Sequence, residues 1–237
     1  MFTKSAAFYD AIYAARGKDY RAEAGWVRAA VERETTGARV ALLDVACGTG
    51  VHLAELRGHF DVAGLDADPA MIAIARERLP DVPLHVARMQ DFALDERFDV
   101  IVSLFSSIGY VSDVNELRAT IANIARHLRD GGTFVLEPWL HPAAWRDGAL
   151  DAVYVDQPSL KIARMSVSER YGDTSVLRFE YLVNEPGAMS HFSETHVLQL
   201  FSDQQYRDAF EACGLRVHEE RSDIFDRGLY IATRSSP

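Results

Sequence analysis

Apolar positions in the first half of the chain fall into short continuous runs separated by stretches with helical spacing. Residues 40–45 are almost wholly apolar, as in a strand buried on both faces of a parallel sheet. Ahead of them, residues 19–34 read as a helix, with Tyr20, Ala24, Val27 and Val31 spaced by three and four. A helix of about ten residues is expected from Val51. Residues 62–65 form a second short strand ending at Asp66. Asp68-Pro69 then supplies an N-cap and a first-turn proline, opening a helix that runs to Leu79. Residues 84–87 and 98–105 read as strands, 113–128 as a long helix stopped by Gly131-Gly132, and 133–136 as the next strand. This alternation predicts a parallel sheet with helices on both faces.

After Pro138 the period changes. Residues 152–156, 162–168, 176–183 and 191–201 look like β segments with no helix between them, an antiparallel layer of about 50 residues. Residues 203–213 return to a helix ended by Gly214, and 215–221 with 228–233 close the sheet as an antiparallel pair. The expected class is therefore α/β: a mostly parallel sheet with an antiparallel last strand and an inserted small antiparallel β layer. Its expected parts are N-terminal helices and a ligand-binding α/β core (1–138), the inserted layer (139–201), and a closing helix and strands (202–237). An insertion after a strand's carboxyl end overhangs the ligand crevice, so it reads as a substrate lid.

The 237 residues, 48% hydrophobic and 25% charged, suffice for one sizeable core. No apolar stretch reaches the roughly 18 residues of a membrane span, and the first ten residues lack a signal-peptide core. A cytoplasmic protein without a membrane partner is expected. Lys and Arg number 25 against 35 Asp and Glu, a formal charge of −10 that argues against nucleic acid as partner. Cys47 and Cys213 form no disulfide framework, and no His, Cys and carboxylate spacing suggests a metal or a hydrolytic triad.

The strongest motif is Leu42-Leu-Asp-Val-Ala-Cys-Gly-Thr-Gly50. A strand runs into Asp44 and then into a turn with Gly48 and Gly50, residues suited to close backbone approach by a ligand. The third glycine of a dinucleotide fingerprint is absent, Leu53 standing in its place. An acid before the turn would repel a pyrophosphate but suits a cationic amino-acid moiety. Asp66, at the end of the next strand, is placed to accept from ribose hydroxyls; a helix cap or a solvated loop acid is the plain alternative. In Met89-Gln-Asp-Phe92, Asp91 could accept from an adenine amino group between the apolar walls of Met89 and Phe92, although Phe92 could equally be core.

Together these residues resemble the class I S-adenosylmethionine-dependent methyltransferases, which implies a Rossmann-like sheet. Arg16-Gly-Lys-Asp-Tyr20, Phe105-Ser-Ser-Ile-Gly-Tyr110, Glu137-Pro-Trp139, His191-Phe-Ser-Glu-Thr-His196 and Arg227-Gly228 narrow the resemblance to the TDP-amino-sugar N,N-dimethyltransferases of macrolide biosynthesis. That resemblance implies S-adenosylmethionine held by Tyr13, Arg16, Ala46, Asp66, Met89, Gln90 and Leu104, with Arg16 meeting the donor's carboxylate. It implies acceptor contacts from Tyr20, Tyr110, Trp139, Arg170 and Arg227, a nucleotide-linked amino sugar as acceptor, and a homodimer. The resemblance further implies that Tyr110 falls where the family places a His or Tyr beside the reacting amine, and that Tyr13, Tyr20 and Tyr110 shape the methyl channel and orient the acceptor. His196 reads either as a proton acceptor near that amine or as a structural histidine, and His52 and Trp26 read as structural. Four departures from the family pattern stand out: Ala87-Arg88, Leu140-His141, Val167 with Val176, and the loop 222–226. In that last loop Asp223 and Asp226 would repel a diphosphate.

The reaction implied is in-line attack on a sulfonium methyl, for which alignment matters more than a base. The competing readings are an N- or O-methyltransferase of another small metabolite, a donor-binding protein without catalysis, and a nicotinamide oxidoreductase.

Overall fold

The computed structural model describes residues 2–32, 40–220 and 223–235. Its helices in chain order are α1 (Tyr9–Ala15), α2 (Tyr20–Glu32), α3 (Val51–Leu56), α4 (Pro69–Arg78), α5 (Val114–His127) and α6 (Asp203–Glu211). The strands of the first half are β1 (Ala41–Val45), β2 (Asp61–Asp66), β3 (Leu84–Val86), β4 (Phe98–Ser103) and β5 (Leu128–Leu136). β6 (Ala149–Gln157), β7 (Leu160–Tyr171), β8 (Thr174–Glu185) and β9 (Ala188–Gln199) follow, and β10 (Leu215–Glu220) and β11 (Leu229–Arg234) end the chain.

The main sheet has the order β10-β11-β5-β4-β1-β2-β3. β1 to β5 pair in parallel, whereas β11 runs antiparallel to both β5 and β10. The continuous apolar runs are explained by burial on both faces. In β1, Leu42 packs with Val27, Val31, Leu53 and Ile72 of the helices on one side. Leu43 and Val45 pack with Ile121, Ile124 and Phe210 on the other. The helix signals act locally as expected: Asp68 accepts from the Ala70 amide ahead of Pro69, and Asp113 accepts from Asn115 and Glu116.

Two expectations are corrected. α3 is six residues long, not about ten. α5 ends at His127, within a residue of the expected 128, but Gly131-Gly132 do not stop it: Leu128 already pairs with Phe98, so β5 begins there rather than at 133 and the glycines sit inside it, where the register shifts. The ends of the predicted segments at 33–34 and 221 lie outside the described residues.

The insertion is a second sheet, the meander β6-β7-β8-β9. Its inner face carries Val153, Val155, Ile162, Phe179, Tyr181 and Val183, and Ile12 with Phe8 and Ala11 fills it from α1. A seven-residue helix is too short to stand alone in water, so its stability comes from this docking. Among the described residues no helix is long and apolar enough to cross a membrane.

Ile12→Ala removes the central side chain of that docking. It should cost about 2–5 kcal/mol in urea unfolding, and a loss within error of zero would show that α1 is not anchored there.

Candidate active site

A cleft of about 1350 Å³ opens at the carboxyl ends of β1 to β5. The chain passes from β1 to β2 and β3 in one direction and from β4 to β5 in the other, so the β1/β4 boundary is the topological switch point. Ala46, Asp66, Met89, Phe105 and Glu137 supply its floor from successive strand ends. Tyr9, Tyr13 and Arg16 of the N-terminal segment, and Arg164, Phe179 and His196 of the inserted sheet, supply its roof.

On the β1/β2 side the backbone is forced into unusual shapes. Ala46 (φ 66°), Gly48 (φ 55°) and Gly50 (φ 76°) are all left-handed, and for a residue with a Cβ this conformation is costly. The two glycines differ in what they permit. A Cβ on Gly48 would meet nothing within 4 Å, whereas one on Gly50 would come within 3.2 Å of Ala75 Cβ. Gly48 thus faces open cleft, and Gly50 lets α3 pack against α4. Asp66 braces the turn by accepting from the Gly48 amide at 2.9 Å and the Asp68 amide at 2.8 Å. Burial raises its carboxyl pKa against those amides. Asp44 is 1% exposed, with Oδ2 lacking any partner, and burial lifts its pKa to about 7, against the pull of His52. It borders a small void of about 30 Å³ that also touches Tyr9, Tyr20, Ala46, Gly48 and Leu104.

A second strained pair, Phe105 (φ 57°) and Ser106 (φ 63°), follows β4. Glu137 Oε2 accepts from the Phe105 amide at 2.6 Å and Ser106 Oγ donates to Pro138 O at 2.7 Å, so the end of β5 holds this bend. Glu137 Oε1 takes Arg227 at 2.9 Å, and that guanidinium lies over the Trp139 ring. Deeper in the cleft, Tyr110 Oη is 2.5 Å from His196 Nδ1. His196 Nε2 is 3.7 Å from Glu194 Oε2. Burial lowers the His196 pKa and raises that of Tyr110, so both are neutral at pH 7. Glu194, despite burial, is held down at about 2 by the neighbouring His196 imidazole and by bonds from Ser5 and Lys4. An ionised Glu194 favours the tautomer with the proton on Nε2, leaving Nδ1 to accept from Tyr110.

The expected residues separate into three groups. Tyr13, Arg16, Ala46, Gly48, Asp66, Met89, Gln90, Tyr110, Trp139, His196 and Arg227 border the main cleft. Asp44, Tyr20 and Leu104 border the adjoining void. Gly50, Asp91 and Arg170 border neither; Asp91 is exposed, Phe92 is core, and Arg170 bonds to Pro142 O and Gly172 O. Arg164, Glu194 and Glu137 have no role in the sequence reading. For Arg164 and Glu194 the signal was weak, because a polar residue alternating along a strand looks alike whether it faces water or a cavity; Glu137 follows β5, and its partners Phe105 and Arg227 are distant in sequence.

These features fit the donor that the sequence implies. An orphaned buried carboxylate can meet an ammonium, Asp66 offers acceptors to vicinal hydroxyls, and open space beside Gly48 admits a ligand to the backbone. Without ligand, Asp44 is a burden on the fold. Its pKa in the unfolded chain is about 4 and in the folded protein about 7. Its penalty is therefore absent below about pH 4 and grows as pH rises to 7. Asp44→Asn should stabilise the ligand-free protein at pH 8 and change it much less at pH 5, as read from urea midpoints; a pH-independent change would contradict the assignment.

Residues 42–132 match the methyltransferase-domain family. The chain is 42% identical, over 94% of each sequence, to the dTDP-3-amino-3,4,6-trideoxy-alpha-D-glucopyranose N,N-dimethyltransferase of Streptomyces venezuelae. It superposes on the crystal structure of DesVI from Streptomyces venezuelae with a TM-score of 0.91, at 41% identity over 96% of this chain and 97% of that one. CalS10, an amino pentose methyltransferase from Micromonospora echinaspora solved with S-adenosylmethionine bound, gives a TM-score of 0.88 at 37% identity, over 96% of this chain and 97% of that one. The strand order, the strained turn and these similarities converge: the chain belongs to the class I S-adenosylmethionine-dependent methyltransferases, in the family of the TDP-amino-sugar N,N-dimethyltransferases.

Proposed function

We propose that this enzyme transfers methyl groups to the amine of a TDP-linked amino sugar, twice in succession, in natural-product biosynthesis. The observation that carries the reading is the Tyr110–His196 pair, which borders the same cleft as Asp66, with Glu194 Oε2 3.7 Å from His196 Nε2. Bound S-adenosylmethionine supplies an already activated methyl group. Asp66 binds its ribose, Asp44 lies near its ammonium, and Arg16 receives its carboxylate. Tyr13, Tyr20 and Tyr110 shape the approach to the methyl, and the roof of α1 and lid excludes water. Alignment of this kind contributes up to roughly 7–11 kcal/mol.

An amine must be neutral to attack, and each transfer leaves a proton on nitrogen. Tyr110 Oη accepts that proton as its own passes to His196 Nδ1, and ionised Glu194 stabilises the imidazolium. The sequence departures bear unevenly on the acceptor. Val167 and Val176 lie on the opposite face of their strands from the cleft-lining Ser166, Ser168 and Leu177, whereas Ala87, Arg88, Asp223 and Asp226 border the cleft. The homodimer belongs to the same proposal, supported by exposed Leu150, Tyr154 and Met165 on the outer face of the lid.

Incubation with donor and a TDP-amino-dideoxyhexose should give mono- and then dimethylated product by mass spectrometry. His196→Asn should lower kcat about 10-fold at pH 7, within what a general base contributes, and recover toward pH 9 where the free amine prevails. No methylation of any TDP-amino sugar, with turnover of an unrelated metabolite, would overturn the sugar assignment. An unchanged pH profile would overturn the relay.

A further inference from the structure

Residues 87–97 connect β3 to β4, and Ala87, Arg88, Met89 and Gln90 of this loop border the cleft. The loop closes one turn of its own, in which the Asp91 and Phe92 amides donate to Arg88 O at 3.3 and 3.0 Å. The carbonyls beyond that turn need partners as well, since a buried peptide oxygen without one is costly. α5 supplies them. Asn123, which is wholly buried, donates from Nδ2 to Phe92 O at 3.0 Å and to Met89 O at 3.3 Å. Its Oδ1 accepts from Arg126 Nη2 at 2.7 Å. A guanidinium only donates, so this contact fixes which way the amide faces and leaves both Nδ2 hydrogens for the loop.

One helical turn along, His127 meets Asn123 O through Nδ1 at 2.8 Å and the Leu94 amide through Nε2 at 3.1 Å. The carbonyl only accepts and the amide only donates. The ring is therefore the neutral tautomer with its proton on Nδ1, and Nε2 is the acceptor. The Phe92 ring lies against it at 4.3 Å. Neither Asn123 nor His127 borders the cleft or the adjoining void. They are neighbours on a helix whose Leu117, Ile121 and Ile124 are fully buried and whose start is capped by Asp113. The helix is a fixed rail, and this wall of the cleft takes its shape from that rail. A third tie, Arg88 to Glu116 at 2.7 Å, is more exposed and weaker.

We infer that Asn123 and His127 are positioning residues for the methyl donor: from behind the cleft they fix the Met89-Gln90 backbone against which its adenosyl group packs. The inference deepens the reading of Met89 and Gln90 as donor contacts and rests on it. The acceptor contacts Tyr110, Trp139 and Arg227 come from other segments, after β4, after β5 and before β11. Loosening the clamp should therefore reach the donor and spare the acceptor.

The test combines calorimetric titration of the full-length protein with S-adenosylhomocysteine and steady-state kinetics with a TDP-amino sugar. Asn123→Asp keeps the shape of the side chain but turns a carboxylate oxygen on two carbonyls. It should raise the S-adenosylhomocysteine Kd and the donor KM about 10-fold, the scale of buried acceptors left unpaired. The kcat and the acceptor KM at saturating donor should stay within about twofold. Should that variant fold poorly, His127→Leu, which removes the acceptor for the Leu94 amide, should weaken S-adenosylhomocysteine several-fold. His127→Gln, whose side-chain oxygen can replace Nε2, should restore most of the affinity. Donor affinity unchanged in Asn123→Asp and His127→Leu overturns the inference. So does a loss shared equally by donor and acceptor, or a His127→Gln no better than His127→Leu, because each marks a role in the fold alone. Wild-type protein that does not bind S-adenosylhomocysteine overturns the donor reading itself, and the inference with it.

Discussion

Asp66 is the tie on which the site depends. Its carboxylate joins the end of β2 to the Gly48 amide in the turn after β1 and to the Asp68 amide that begins α4. Those bonds hold Ala46 and Gly48 left-handed, and so keep a stretch of backbone open to the cleft. The N-terminal segment is fastened to the same place. Asp10 of α1 accepts from Thr49 Oγ1 and pairs with Arg78, and Thr3 donates to Asp68. A ligand that reinforces Asp66 therefore reinforces turn, helix start and roof together, as expected of a preorganised site.

The floor and the roof of the cleft are built differently. The floor comes from ends of parallel strands buried on both faces, and its bends are held by Asp66 and Glu137. The roof comes from a separate meander and a short helix that fills it. Under the proposed roles both layers serve the donor, Asp66 from the floor and Tyr13 and Arg16 from the roof. The departures from the family pattern that border the cleft, Ala87, Arg88, Asp223 and Asp226, lie outside the inserted sheet, whereas Val167 and Val176 of that sheet face away from the cleft.

The parts of the fold legible in the sequence were those with a strong period or a local signal. Continuous apolar strands, the Asp68-Pro69 start and the change of pattern after Pro138 all led to the right elements. α1 escaped because residues 9–15 span two turns and gain their stability from the inserted sheet. The stop at Gly131-Gly132 misled because glycine is also what an irregular strand start uses. In the site, Asp44, Gly48 and Asp66 stood out by type and spacing. Glu194 and Arg164 did not, since their meaning lies in partners far apart in sequence: Ser5 for one, Asp151 and the Tyr13 ring for the other.

The central claim is that the Asp66 carboxylate and the turn it braces grip the adenosyl donor. Calorimetric titration with S-adenosylhomocysteine tests it most directly. Wild-type protein should bind one molecule per chain, and Asp66→Ala should weaken binding by about 10-fold or more, the scale of lost hydrogen bonds to a charged group. Equal affinity in the two proteins would contradict the account.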